Sequence, residues 1–184
     1  ESVSKLSEKE VLEKRRRGIA LRFTDKIIAG CDQESTLFMQ AVQKVNRLQP
    51  SFAVICGDMT DKVGSETQIQ ELFRISSYLN TDIPLYWVPG NHDVGNLPNR
   101  QSLLTYRRIF GHDNYSFVVE NCYFITINSC VCFNPSKVPQ ELERLMVFLG
   151  RELDSATSAG FEHKIIFTHH PLFLQSADEP DNDF

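Results

Sequence analysis

What the sequence lacks narrows it first. No apolar run approaches the roughly 20 residues that a membrane-spanning helix needs, which excludes a helical membrane span. The first residues show no basic start, apolar centre and small-residue cleavage site, the layout of a secretory signal. There is no basic surplus: 19 Lys and Arg stand against 24 Asp and Glu, for a net charge of -5. That argues against a general nucleic-acid binder. The five cysteines (Cys31, Cys56, Cys122, Cys130 and Cys132) contain no Cys-x-x-Cys pair, which argues against a structural zinc knuckle. No Gly-x-Gly-x-x-Gly or Walker loop is present, which argues against a plain nucleotide-binding domain. Neither an internal repeat nor a low-complexity segment interrupts the chain.

What is there suits one globular domain. A chain of 184 residues can bury a real core. A hydrophobic content of 41% beside 23% charged residues is an ordinary soluble balance. Cys56 and Cys122 fall in apolar, strand-like runs, and the odd cysteine count points to reduced thiols in a cytoplasmic protein. Residues 1–17 are polar; Ser7-Glu8-Lys9-Glu10 forms a capping box ahead of Val11 and Leu12 and predicts a short helix. Lys14-Arg15-Arg16-Arg17 reads as a solvated helix end. The chain opens on Glu1 rather than Met, so it is expected to begin inside a longer product.

Apolar spacing orders the rest. Leu37, Phe38, Ala41, Val42, Val45 and Leu48 form a helical stripe over 34–49, closed by Pro50. Residues 51–58 are a near-continuous apolar run, read as a strand buried on both faces as in parallel sheets. A second helix is predicted over 65–80, a buried strand over 83–88, and a third helix over 99–110 ending at Gly111. Two short runs, 115–119 and 122–128, split by Glu120-Asn121, have the form of a hairpin. A helix over 138–153 precedes another buried strand at 164–168, and the tail from Ala177 to Phe184 is acidic and loop-like. Strands and helices in this alternation predict an α/β layered sandwich.

The chain is organised around Pro89-Gly90-Asn91-His92-Asp93. Pro89 and Gly90 stop an apolar run, and an amide, an imidazole and a carboxylate follow at once in a turn. Taken singly, Asn91 and Asp93 suit a turn, Asp58 a helix cap and His169 a core histidine. Taken together they do not read so simply. Three strands end in metal-capable groups: Gly57-Asp58, Gly90-Asn91-His92-Asp93 and His169-His170 before Pro171. In open α/β sheets ligands gather at the carboxyl ends of strands. Oxygen and imidazole nitrogen are hard or borderline donors. Three such endings converging on one crevice would suit metal-assisted chemistry on an anion.

These motifs resemble the calcineurin-like metallophosphoesterase superfamily from about Gly30 to Phe184. Together with Asn134-Pro135-Ser136 and Phe167-Thr168-His169-His170-Pro171-Leu172-Phe173-Leu174, they are most similar to its cytoplasmic Ser/Thr phosphoprotein phosphatases. The resemblance implies an α/β/β/α sandwich and two divalent metals (manganese, iron or zinc) that bind phosphate and activate a bridging water. It implies that Asp58 bridges both metals and that Asn91 and His169 bind the second. His92 would approach the phosphoryl group as acid or charge stabiliser, with Asp93 orienting its ring, as catalytic residues. His170 falls on the pattern's variable position and reads as packing. His112 and His163 take no role. The implied partner is a phosphorylated protein or another phosphate monoester, with neither nucleic acid nor membrane.

Two family motifs are missing. No Asp-x-His or Asp-x-Gln precedes Asp58, for Asp25 and Asp32 lack the spacing, and no Gly-His-x-His follows. Residues 1–24 are therefore expected to be divergent or foreign and helical, and 25–184 to be a partial domain, an incomplete sandwich. The chain is expected to be a metal-dependent phosphoric monoester hydrolase, present as a fragment with reduced or no activity. The alternative is a catalytically impaired phosphoesterase-fold protein that binds a partner or regulates without turnover.

Overall fold

A computed structural model of the chain describes residues 32–173 and 176–178. The helix expected near Ser7, the basic cluster Lys14–Arg17, Asp25, Cys31, Leu174, most of the acidic tail and the side chain of Asp32 lie outside the described residues. Among the described residues, no helix is long and apolar enough to cross a membrane.

Helix α1, Asp32–Leu48, turns the predicted apolar stripe inward at Val42. Strand β1, Ala53–Cys56, follows. Helix α2, Glu66–Ser76, buries Leu72, Phe73 and Ile75, and strand β2, Leu85–Val88, comes next. Asn46 ties α1 to the loop that follows α2. Its amide donates to the Tyr78 carbonyl at 2.7 Å, and its oxygen accepts from the Asn80 N–H at 2.8 Å. β1 and β2 pair in parallel, from Ala53 opposite Leu85 to Cys56 opposite Val88.

A single helical turn, α3, occupies Asn91–Val94 where an irregular turn was expected. Helix α4, Arg100–Phe110, begins at an Asn99 cap whose side chain accepts from the N–H groups of Gln101 (2.9 Å) and Ser102 (3.1 Å). The hairpin forms as predicted: β3, Tyr115–Val119, and β4, Cys122–Thr126, run antiparallel. β4 closes two residues early because Ser129–Phe133 coils into a short helix, α5, which the sequence pattern did not reveal. Helix α6, Pro139–Ser158, runs five residues past its expected end; Ala156 is fully buried and holds the last turn down. Strand β5, His163–Phe167, then pairs in parallel with β4, giving the order β3-β4-β5.

The two sheets meet through aromatic rings. Tyr86 of β2 stacks on Phe117 of β3, with centroids 3.8 Å apart, while Phe52 sets its edge against Phe117, Phe124 and Phe167. Alternation along the strands sends Trp87 the other way, towards Phe73 of α2 and Phe110 of α4. On the far side of the second sheet, Ile125 is fully buried among Leu103, Tyr106, Val131 and Leu145. Each such aliphatic contributes roughly 1.5–3 kcal/mol. Helices thus cover the outer faces of two packed sheets, the α/β sandwich that the element order implied. Tyr115 closes one exposed edge: its hydroxyl donates to the Trp87 carbonyl at 3.0 Å and accepts the Trp87 N–H at 3.1 Å.

Two expectations of burial need correction. β1 is only partly covered, and Cys56 is exposed. β5 exposes His163 and Ile165. Among the described residues each of these strands has a paired neighbour on one edge alone, so neither has the enclosure of a central strand. The four described cysteines are free thiols.

Candidate metal centre

Register delivers the site. Because Cys56 lies opposite Val88, the residues that follow, Gly57-Asp58 and Pro89-Gly90-Asn91, emerge side by side. Two glycines allow them to touch. A Cβ on Gly57 would overlap the His169 ring and the Gly90 Cα, and one on Gly90 would overlap the backbone N and Oδ1 of Asp58. Asp58 itself sits at φ +53°, in the left-handed region. That conformation costs of order 1 kcal/mol, and strain of this kind clusters at functional sites.

The His169 imidazole bridges the two sheets. Its Nδ1 lies 2.9 Å from the Cys56 carbonyl, which can only accept. Nδ1 therefore carries a proton, and when the ring is neutral Nε2 presents a bare lone pair. That lone pair faces two more acceptors: the Asn91 Oδ1 at 2.9 Å and the Asp58 Oδ1 at 3.5 Å. The Asn91 orientation is fixed from behind, because its Nδ2 donates to the Asn96 Oδ1 at 2.7 Å. Three acceptors of three chemical types thus converge with no donor between His169 and its two partners, while the His92 backbone N–H donates to the Asp58 Oδ1. Donor atoms bound to one cation at about 2.0–2.2 Å and near right angles lie about 3 Å apart, so the spacing fits a divalent ion. An anionic oxygen, an amide oxygen and an imidazole suit manganese, iron or zinc. Among the described residues no three His, Cys, Asp or Glu side chains form such a group; the third donor here is an asparagine.

His92 stands beside this cluster. Its backbone N–H donates to the Asp58 Oδ1 at 3.0 Å, while its side chain is 45% exposed. The ring Nδ1 lies 3.0 Å from the Asp61 carbonyl and 3.6 Å from an Asp61 carboxylate oxygen. The Asp61 carbonyl and then the Asp58 charge raise the pKa of His92. A cavity of about 590 Å³ between α1, β1 and α2 reaches Asp58, Asp61 and His92 and gives the ring access to solvent.

Asp93 was expected to orient His92, and here the geometry differs. Its Oδ1 accepts from the N–H (3.1 Å) and hydroxyl (3.3 Å) of Thr60, and its Oδ2 accepts the Gly90 N–H at 2.9 Å. Consecutive residues on a helical turn do not face each other, so neighbours in sequence point apart. Asp93 is 4% exposed, and burial raises its pKa. It clamps the loop after β1 to the turn after β2, and the imidazole takes Asp61 as partner instead. Cys130 is near, with Sγ 3.9 Å from the Pro89 carbonyl, but burial and then the Asp93 and Asp58 charges push its pKa up to about 12. It remains a thiol.

The structure therefore brings together Asp58, Asn91, His92 and His169, four of the five residues singled out in their expected neighbourhood. It adds Asp61, Thr60, Asn96 and Ser129. Asn96 lies just past the Asn91–Val94 turn, after Gly95. His170 packs: its ring lies flat on Phe133, centroids 5.1 Å apart, and burial lowers its pKa.

Comparison with known proteins gives one family. The family model described as calcineurin-like phosphoesterase matches residues 30–183. A curated Bos taurus protein named Serine/threonine-protein phosphatase CPPED1 is 36% identical over 159 residues, covering 83% of this chain and 51% of its own. The Homo sapiens protein of that name is 38% identical over 157 residues, covering 82% and 50%. The Danio rerio one is 37% identical over 159 residues, covering 83% and 52%. The chain spans about half the length of these curated relatives. No solved structure matches.

Proposed function

The chain belongs to the calcineurin-like phosphoesterase family, and from that premise we propose that it is a metal-dependent phosphoric monoester hydrolase acting on phosphoserine or phosphothreonine in proteins. The observation that carries the reading is the acceptor-only cluster of Asp58, Asn91 and His169. The curated relatives' printed name, a Ser/Thr phosphatase, supplies the substrate class.

Asp58, Asn91 and His169 would hold the ion. A bound divalent ion supplies Lewis-acid charge for a phosphoryl oxygen and a lowered pKa for water. The residues do the rest. Asn96 keeps the Asn91 oxygen inward, and the Cys56 carbonyl keeps His169 in the ligand tautomer. His92 stands at the cavity with its Nδ1 held by Asp61, leaving Nε2 to donate a proton to a leaving oxygen or to neutralise charge on a phosphoryl oxygen. Asp93 and Thr60 hold the two loops together.

Low turnover by this chain is part of the proposal. Among the described residues Asp58, Asn91 and His169 make one three-donor position, and a displacement spanning two ions draws on more donors than these. The test is metal analysis of the purified chain with an assay against an aryl phosphate and a phosphoserine peptide in excess manganese. Metal bound through Asp58 with slow phosphate release supports the reading. Metal bound with no release on either substrate favours a binding or regulatory protein. A chain that takes up no divalent metal contradicts both.

A further inference from the structure

At the end of β5 the backbone N–H groups of His169 and His170 have left the sheet ladder. Both turn to one atom: the Ser129 hydroxyl accepts from His169 at 3.2 Å and from His170 at 2.9 Å. The register of β4 with β5 explains how. Thr126 lies opposite Phe167, so three steps onward Ser129 comes level with His170. The helical turn of α5 then aims its side chain across. Ser129 is 2% exposed, so water cannot substitute for it there. With both lone pairs engaged, the hydroxyl proton is left to donate, and the His170 Nδ1 lies 3.2 Å away.

We infer that Ser129 is a positioning residue that fixes the metal-facing aim of His169 and sets His170 as the tautomer protonated on Nε2. The inference rests on the metal-site reading of His169. The His169 ring reaches its tautomer-setting carbonyl on β1 and its ligand partners on α3 only if the backbone at 169–170 is held, and Ser129 is the side chain that takes both of its N–H groups. Removing the hydroxyl leaves two part-buried N–H groups without this partner and lets the turn shift. Partners one step behind a metal ligand, when lost, cost about 10- to 100-fold in metal affinity.

The test compares the purified chain with Ser129→Ala and Ser129→Thr. Cobalt(II) titration read by its visible absorption gives affinity and ligand geometry, and circular dichroism with thermal melting reports the fold. Ser129→Ala should keep its secondary structure, bind cobalt about 10-fold or more weakly and show an altered absorption band. Ser129→Thr, which restores the hydroxyl, should recover most of the affinity. Wild-type affinity and spectrum in a folded Ser129→Ala would overturn the inference. Histidine-selective nitrogen NMR on the wild-type chain judges it without any variant. His170 bare on Nδ1 and protonated on Nε2 supports the clamp, and the opposite tautomer overturns it. A wild-type chain that binds no cobalt would fail the metal reading, while the NMR result would still decide the clamp.

Discussion

Two polar regions of this molecule answer opposite questions. Around Arg107, charges and hydrogen bonds are matched. Its guanidinium donates to both Asp113 oxygens, at 2.7 and 3.1 Å, and also to Glu141. Asp113 further accepts from the Asn128 amide at 3.1 Å. Donors meet acceptors around the guanidinium, with the buried Asn128 Oδ1 the one atom of the group left without a partner, and the group ties the loop before β3 to the start of α6. Around Asp58 the balance is one-sided: a carboxylate, an amide oxygen and an imidazole lone pair face one another, and the His92 backbone N–H is the donor that reaches the Asp58 Oδ1. A matched network stabilises a fold, whereas an acceptor-only cluster at strained strand ends asks for a cation. The two should therefore respond differently to substitution.

Arg107→Ala is the largest expected blow to the fold. It removes the cation paired with buried Asp113 and one of two paired with Glu141, and equilibrium denaturation should show a loss of about 3 kcal/mol, the lower end for breaking a buried pair because the guanidinium is partly exposed. Next is Gly90→Ala, whose Cβ has no room beside Asp58. It should weaken both stability and metal uptake, linking the two regions' readouts at one position. Unchanged melting and uptake would mean that the strand ends sit farther apart than described. His92→Asn should leave metal content and melting intact while lowering phosphate release by about 100-fold, within the range for a lost acid or base. Metal loss in that variant would place His92 among the ligands. The smallest effect belongs to Arg144, exposed and paired with Glu141 at 2.6 Å. Arg144→Ala should cost less than about 0.5 kcal/mol, and a larger loss would make the Arg107 network wider than Asp113 and Glu141.

The same contrast explains what could be read from sequence. The three strand ends were legible because each stops an apolar run with Gly or with His before a Pro, and parallel strands deliver their ends to one side. Helices α1, α2, α4 and α6 followed from apolar period. Asp93 was given His92 as partner and instead binds Thr60 and Gly90, since adjacency in sequence is not adjacency on a helical turn. Asp61, Thr60 and Ser129 carried no signal, because their roles depend on strand register and on the path of loops, where polar residues have no period. Helix α5 was hidden for a similar reason: Ser129–Phe133 is too short to show a helical repeat. The burial of β1 and β5 was overestimated because an apolar run reports that a strand is covered somewhere, not on how many edges it is paired.

The central claim is that the Asp58 cluster is built for a divalent ion, and thermal melting of the purified chain with and without manganese tests it most directly. A ligand that binds only the folded state stabilises it by about 2.7 kcal/mol at a hundredfold excess over its Kd. The wild-type chain should melt higher when manganese is added, and Arg144→Ala should respond in parallel. Asp58→Asn should melt as well as wild type without metal, because it removes a charge from an unmatched cluster, and should show no rise with it. A wild-type chain indifferent to manganese, or an Asp58→Asn variant stabilised as strongly as wild type, would contradict the claim.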